Sequence, residues 1–135
     1  LIVETMDRLK KGEIVKVSQD DSLATYAQKI EKDTGKIDWN CSGNRIKNLV
    51  RGLKPWPSAY TIYKGENIKI HKVKVIDKFL EEDNGVVVKV SDEGIYVNCE
   101  DSCIIIEELQ FPGKKKLHVS KYLRGNKFDS NIRLG

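Results

Sequence analysis

The stretch NRIKNLVRGLKPWPSAYTIYKGENIKI (residues 44–70) decides the fold, because the spacing of its apolar residues changes partway along. From 44 to 53, Ile46, Leu49, Val50 and Leu53 follow the i, i+3, i+4, i+7 pattern of one helical face, with Arg45, Lys47, Asn48 and Arg51 on the other. Ser42 or Asn44 is placed to cap its start, and the helix must end by Lys54, since Pro55 drives the preceding residue out of the α region. Pro55-Trp56-Pro57 reads as a stiff extended link. Beyond it the period becomes two. Residues 60–63, a turn at 64–67 and residues 68–70 form a hairpin pattern, and Ile68, Ile70, Val73 and Val75 alternate with Lys69, His71, Lys72 and Lys74.

Toward the C-terminus the strand signals continue. Residues 85–90 and 95–99 flank a turn at 91–94, and a second turn at 100–102 leads into 103–106, with Leu109 and Phe111 pointing inward if that strand extends. Five or six short strands joined by tight turns avoid exposed edges best by curling into a small barrel, SH3-like or OB-like. A final helical turn is expected at 121–124, stopped by Gly125, before a basic tail ending Arg133-Leu134-Gly135. Toward the N-terminus, Ile2, Val3, Met6 and Leu9 share a helical face ended by Gly12. Asp20-Asp21-Ser22 offers caps for a short helical piece carrying Leu23, Tyr26, Ala27 and Ile30. Residues 36–39 read as extended. The fold class is therefore mixed α+β: short N-terminal helices and a linker, then a small OB-like barrel of five to six strands. The uncapped first helix and the missing initiator Met point to a segment of a longer protein.

Composition narrows the function. The 135 residues carry a net charge of only +4, but its distribution is uneven: −1 over 1–43, +7 over 44–78, −8 over 79–110 and +6 over 111–135. If folding brings the two basic blocks together, the local field suits a polyanion. No apolar run approaches the roughly 20 residues that cross a bilayer, and no signal peptide is evident, so a cytoplasmic location is expected. Cys41, Cys99 and Cys103 have no companion Cys or His pair at zinc-site spacing and read as reduced thiols. His71 and His118 lack partners for acid–base or metal work, and Asp38 reads as a turn or cap residue.

Several motifs then line up in order: Ser22-Leu23-Ala24-Thr25-Tyr26-Ala27, Ile37-Asp38-Trp39, Arg51-Gly52-Leu53-Lys54-Pro55-Trp56-Pro57, Pro112-Gly113-Lys114-Lys115-Lys116, Tyr122-Leu123-Arg124-Gly125-Asn126 and Arg133-Leu134-Gly135. Together they resemble the C-terminal third of the methionyl-tRNA formyltransferase family. Gln28, where relatives often carry Pro, and His118, where a hydroxyl cap is usual, depart from that pattern. The resemblance implies that 1–17 is the last helix of a catalytic domain, 18–57 a linker and 58–135 an OB-like domain. It implies a parent enzyme that formylates methionyl initiator tRNA from 10-formyltetrahydrofolate. The catalytic Asn, His and Asp then lie outside this chain, which alone is expected to be inactive and to bind no cofactor or metal. The expected partners are initiator tRNA and the chain's own catalytic domain. A formyltransferase acting on a sugar nucleotide and a stand-alone OB-type nucleic-acid module are the alternatives.

The phosphate-contact candidates are Lys114, Lys115 and Lys116, three ammonium groups following Pro-Gly, then Arg51, Lys54, Lys69, Lys72, Lys74, Lys121, Arg124 and Lys127. Trp39 is expected in the core and Trp56 between linker and barrel. Tyr60, Tyr63 and His71 offer either stacking faces or packing.

Overall fold

The computed structural model describes residues 1–77 and 82–135. Helix α1 (Ile2–Lys10) is followed by two 3-10 turns (Asp21–Leu23 and Lys32–Gly35) and helix α2 (Gly43–Gly52). Strands β1 (Ala59–Tyr63), β2 (Glu66–Asp77), β3 (Val87–Ser91), β4 (Gly94–Asn98), β5 (Ser102–Gln110) and β6 (Leu117–His118) come next, and helix α3 (Val119–Leu123) after them. All strand pairings are antiparallel in the order β1-β2-β5-β4-β3, with β6 alongside β5.

A sheet in that order has free edges at β1 and β3, and the C-terminal residues bridge them. The amide of Val87 donates to Ile132 O and that of Asn131 to Val87 O, both at 2.8 Å. Leu134 N donates to Gly85 O, and Gly135 N reaches Ile62 O on β1 at 3.1 Å. Leu134 is buried in the core. The stretch expected to be a basic tail thus runs beside the start of β3 and reaches β1 at Ile62, spanning the gap between the two edges.

Two adjacent bulges set the phase of the long strands. In the β2–β5 ladder Ile70 pairs with Leu109, Lys72 with Glu108 and Val73 with Ile106, so His71 and Glu107 are extra residues. Each extra residue inverts the alternation, which has period two. Ile68 and Ile70 therefore face the core before the bulge, while Val73 and Val75 pack against it afterwards. On β5, Ile104 and Ile106 share the interior with Leu109.

The core reaches back before the barrel. Ile37, Trp39, Ile46, Val50 and Leu53 are buried, Ile37 N donates to Tyr60 O at 2.8 Å, and Trp39 Nε1 donates to the buried Thr61 Oγ1 at 3.1 Å. Helix α2 lies on β2 and β5 through the face its periodicity marks, capped by Ser42 Oγ accepting from Arg45 N. At its first residue the backbone comes so near β5 that a Cβ on Gly43 would sit 2.1 Å from Ser102 Oγ and 2.9 Å from Val75 Cγ1. Gly43→Ala should cost about 1–3 kcal/mol in a urea melt; a loss within about 0.5 kcal/mol would show that this contact relaxes freely.

Four expectations need correction. Residues 24–31 form no helix, and Leu23, Tyr26 and Ile30 stay exposed, Tyr26 at 91 %. Helical spacing alone gave them no surface to bury against. Pro55-Trp56-Pro57 is a turn with cis peptide bonds at Lys54-Pro55 and Trp56-Pro57, and the amide of Ser58 returns to Leu53 O at 3.0 Å. Trp56 is 58 % exposed rather than packed between linker and barrel. The final helix runs 119–123, capped by His118, whose Nδ1 accepts from Ser120 N. Helix α1 forms as its pattern indicates, yet Ile2, Val3, Met6 and Leu9 are all exposed.

Candidate nucleic-acid interface

The lysine loop between β5 and β6 is tied down by hydrogen bonds. Lys114 N donates to Phe111 O at 3.1 Å, with Pro112 second and Gly113 third at φ 68°, a type II arrangement in which only the third position needs a left-handed residue. Gln110 Nε2 donates to Lys114 O at 2.8 Å, and its Oε1 accepts from His71 Nε2 at 2.9 Å. The extra residue of the β2 bulge thereby anchors the loop that carries the lysines.

Beneath the loop lies an aromatic floor. Phe111 stacks on Tyr122 with centroids 5.0 Å apart, Tyr63 stacks on Phe128 at 4.0 Å, and edge contacts join the two pairs. A cleft of about 610 Å³ opens over it, lined by Glu66, Leu109, Phe111, Pro112, Lys114, Lys115, Leu117, Tyr122 and Asn126. A second cleft shares Glu66, Phe111 and Pro112 and adds Lys69 and Gln110. Lys69, Lys114 and Lys115 therefore ring one end of the barrel. Lys121, Arg124 and Lys127 lie exposed on α3 and just after it. Among the described residues none of these six makes an ion pair.

The remaining candidates stand differently. Lys116 pairs with Glu108 at 3.2 Å. Lys72 and Lys74 project from the outer face of β2 and are both held by Glu107, at 3.2 and 2.9 Å. Arg51 and Lys54 are exposed at the end of α2, close in sequence to Trp56, and neither lines the two clefts at the lysine loop. Lys64, absent from the candidates, pairs with Asp129 at 2.6 Å beside the aromatic floor.

Burial alone would push the Glu107 carboxyl up, but the ammonium groups of Lys74 and Lys72 paired with it hold it below the ordinary glutamate range. A depressed folded-state pKa means that Glu107 stabilises the fold above its unfolded pKa, and that this is lost as pH falls through the folded value. Glu107→Gln should therefore flatten the acid limb of a stability-versus-pH curve, leaving its alkaline side parallel to wild type. Superimposable acid limbs would remove Glu107 from the acid response.

The other polar candidates are structural. Asp38 Oδ1 accepts from Asn40 N at 3.0 Å, a turn bond that lowers its pKa. Cys99 and Cys103 are buried free thiols; burial, with a smaller contribution from Cys99, pushes Cys103 up to about 12. Among the described residues no group of His, Cys, Asp and Glu is arranged to hold a metal ion, and no helix is long and apolar enough to cross a membrane.

Fold and surface together define a small α+β barrel domain with one basic, aromatic-floored end. Residues 29–127 match the formyl transferase C-terminal domain, and the chain belongs to that family. It is 44 % identical over 132 residues to the methionyl-tRNA formyltransferase of Clostridium acetobutylicum, covering 98 % of this chain and 43 % of that protein. The same-named protein of Clostridium novyi is 43 % identical, with 96 % of this chain and 42 % of that protein covered. The chain thus spans less than half the length of these relatives. Among solved structures, a HypX variant from Aquifex aeolicus superposes with a TM-score of 0.60 at 18 % identity, over 95 % of this chain and 24 % of that one. HypX from the same organism in complex with tetrahydrofolic acid superposes at 0.59 and 16 %, over 97 % and 26 %. At such identities the likeness is one of fold.

Proposed function

We propose that this chain is the tRNA-docking portion of a methionyl-tRNA formyltransferase, the enzyme that moves a formyl group from 10-formyltetrahydrofolate to the amino group of methionyl initiator tRNA in the cytoplasm. The observation that carries this is the identity of more than 40 % to two proteins of that name across nearly the whole chain. The chemistry of the basic end supports it. Lys69, Lys114 and Lys115, with Lys121, Arg124 and Lys127 nearby, offer mobile point charges that neutralise phosphates without reading sequence. In this reading the formyl transfer itself takes place on an upstream catalytic domain that binds the donor. Residues 1–17 are that domain's last helix, 18–57 the linker and 58–135 the barrel domain. The uncovered apolar side of α1 is what a helix separated from its packing partner leaves exposed.

Binding of the chain to initiator tRNA across a salt series, with a sugar nucleotide as control ligand, tests the reading. The expected result is tRNA binding that weakens steeply as salt rises, with no measurable uptake of the control. Binding of the sugar nucleotide without tRNA would replace the acceptor.

A further inference from the structure

Lys69, Lys72 and Lys74 follow one another on a single strand, and nothing in the charge pattern separates them. The structure does. Glu107 is the extra residue of the β5 bulge, and bulges re-aim side chains. Its carboxylate lies on the outer face of the sheet, only 5 % exposed, with Oε1 on Lys74 and Oε2 on Lys72. The neighbouring surface is self-compensated as well. Tyr96 donates to Glu93, and the Lys89 ammonium sits 4.9 Å over the Tyr96 ring.

We propose that Glu107 decides which face of the barrel accepts a polyanion: by holding Lys72 and Lys74 it withholds two ammonium groups from phosphate and confines RNA to the Lys69–Lys114–Lys115 end. The proposal rests on the RNA-docking reading and names the residue that gives that surface its boundary. Two ammonium groups two positions apart on a strand are spaced by roughly 6–7 Å, within reach of successive phosphates. Left free, they would extend the basic surface across the sheet. Handing either lysine to a phosphate instead strips a nearly buried carboxylate of one of its two partners, which is costly. The Lys116–Glu108 and Lys64–Asp129 pairs are different, because Glu108 and Asp129 are 28 % and 45 % exposed and water can replace the lost cation.

The experiment measures the slope of log affinity against log salt for initiator tRNA and, in parallel, for poly(uridylic acid). It uses four forms of the chain: wild type, Glu107→Gln, the double variant Lys72→Gln/Lys74→Gln, and all three changes together. Releasing two lysines should tighten binding in the Glu107→Gln chain and steepen its slope by about one to two units. The double lysine variant should match wild type to within about half a unit, and the triple variant should lose the gain. A folded Glu107→Gln chain with the wild-type slope overturns the proposal. So does a double lysine variant whose slope flattens by about two units, an arm that stands even if Glu107→Gln fails to fold. Should wild type bind poly(uridylic acid) but not tRNA, the acceptor reading fails, while the homopolymer slopes still judge Glu107. Binding of neither polymer by any variant overturns both.

Discussion

Replacing Lys69, Lys114 and Lys115 together by alanine is expected to weaken tRNA binding on the order of tenfold or more and to flatten its salt slope by about two to three units. The three surround the paired clefts, and none spends its charge on a carboxylate within the described residues. Each neutralised phosphate releases condensed counterions, so the slope counts contacts directly. Lys116 is left out because it pairs with Glu108 in the free chain; that carboxylate is exposed enough to release it, so its removal should flatten the slope by no more than about one unit. All three lysines are exposed, so thermal stability should stay within about 0.5 kcal/mol of wild type and the loss can be read as binding alone. A triple variant with the wild-type slope would move the docking surface elsewhere, with the exposed strip of Arg45, Lys47, Arg51 and Lys54 the next to test.

The second large effect concerns stability. Trp39→Ala should destabilise the chain by about 3–5 kcal/mol in a urea melt. Trp39 is 4 % exposed, packs within the main core and donates its indole N–H to Thr61 Oγ1, which has no access to solvent. Trp39→Phe refills most of the volume but orphans that hydroxyl, and should cost about 1–3 kcal/mol. Both numbers test whether 35–57 fold as one unit with the barrel. A loss below about 1 kcal/mol for Trp39→Ala would mean that this stretch docks on a barrel already stable without it.

The sequence made some of this legible and hid the rest for physical reasons. Helix α2 was readable because Ile46, Leu49, Val50 and Leu53 repeat at the helical period and a proline marks the end. The β1–β2 hairpin was readable because its alternation brackets Lys64-Gly65. Leu23, Tyr26 and Ile30 carried the same helical spacing and misled, since periodicity reports a face but not whether anything lies against it. Tail closure was hidden because Asn131, Ile132 and Leu134 meet Gly85 and Val87 through backbone hydrogen bonds, which carry no residue signature, and the two side chains that pack inward, Ile132 and Leu134, are too short a run to mark a strand. The candidate site divided along similar lines. Three lysines after Pro-Gly announce an exposed loop. That Lys72 and Lys74 are held by a carboxylate more than thirty positions away depends on ladder register, and two bulges set that register against any simple count.

The most direct test of the account is an amide-shift map of the isotopically labelled chain titrated with initiator tRNA. Docking at the basic end predicts perturbations concentrated at residues 64–69, 110–117 and 121–127, with Lys72, Lys74, Glu93 and Tyr96, on the outer face of the sheet, unmoved. Perturbations centred on that outer face or on α2, with the lysine loop silent, would contradict it.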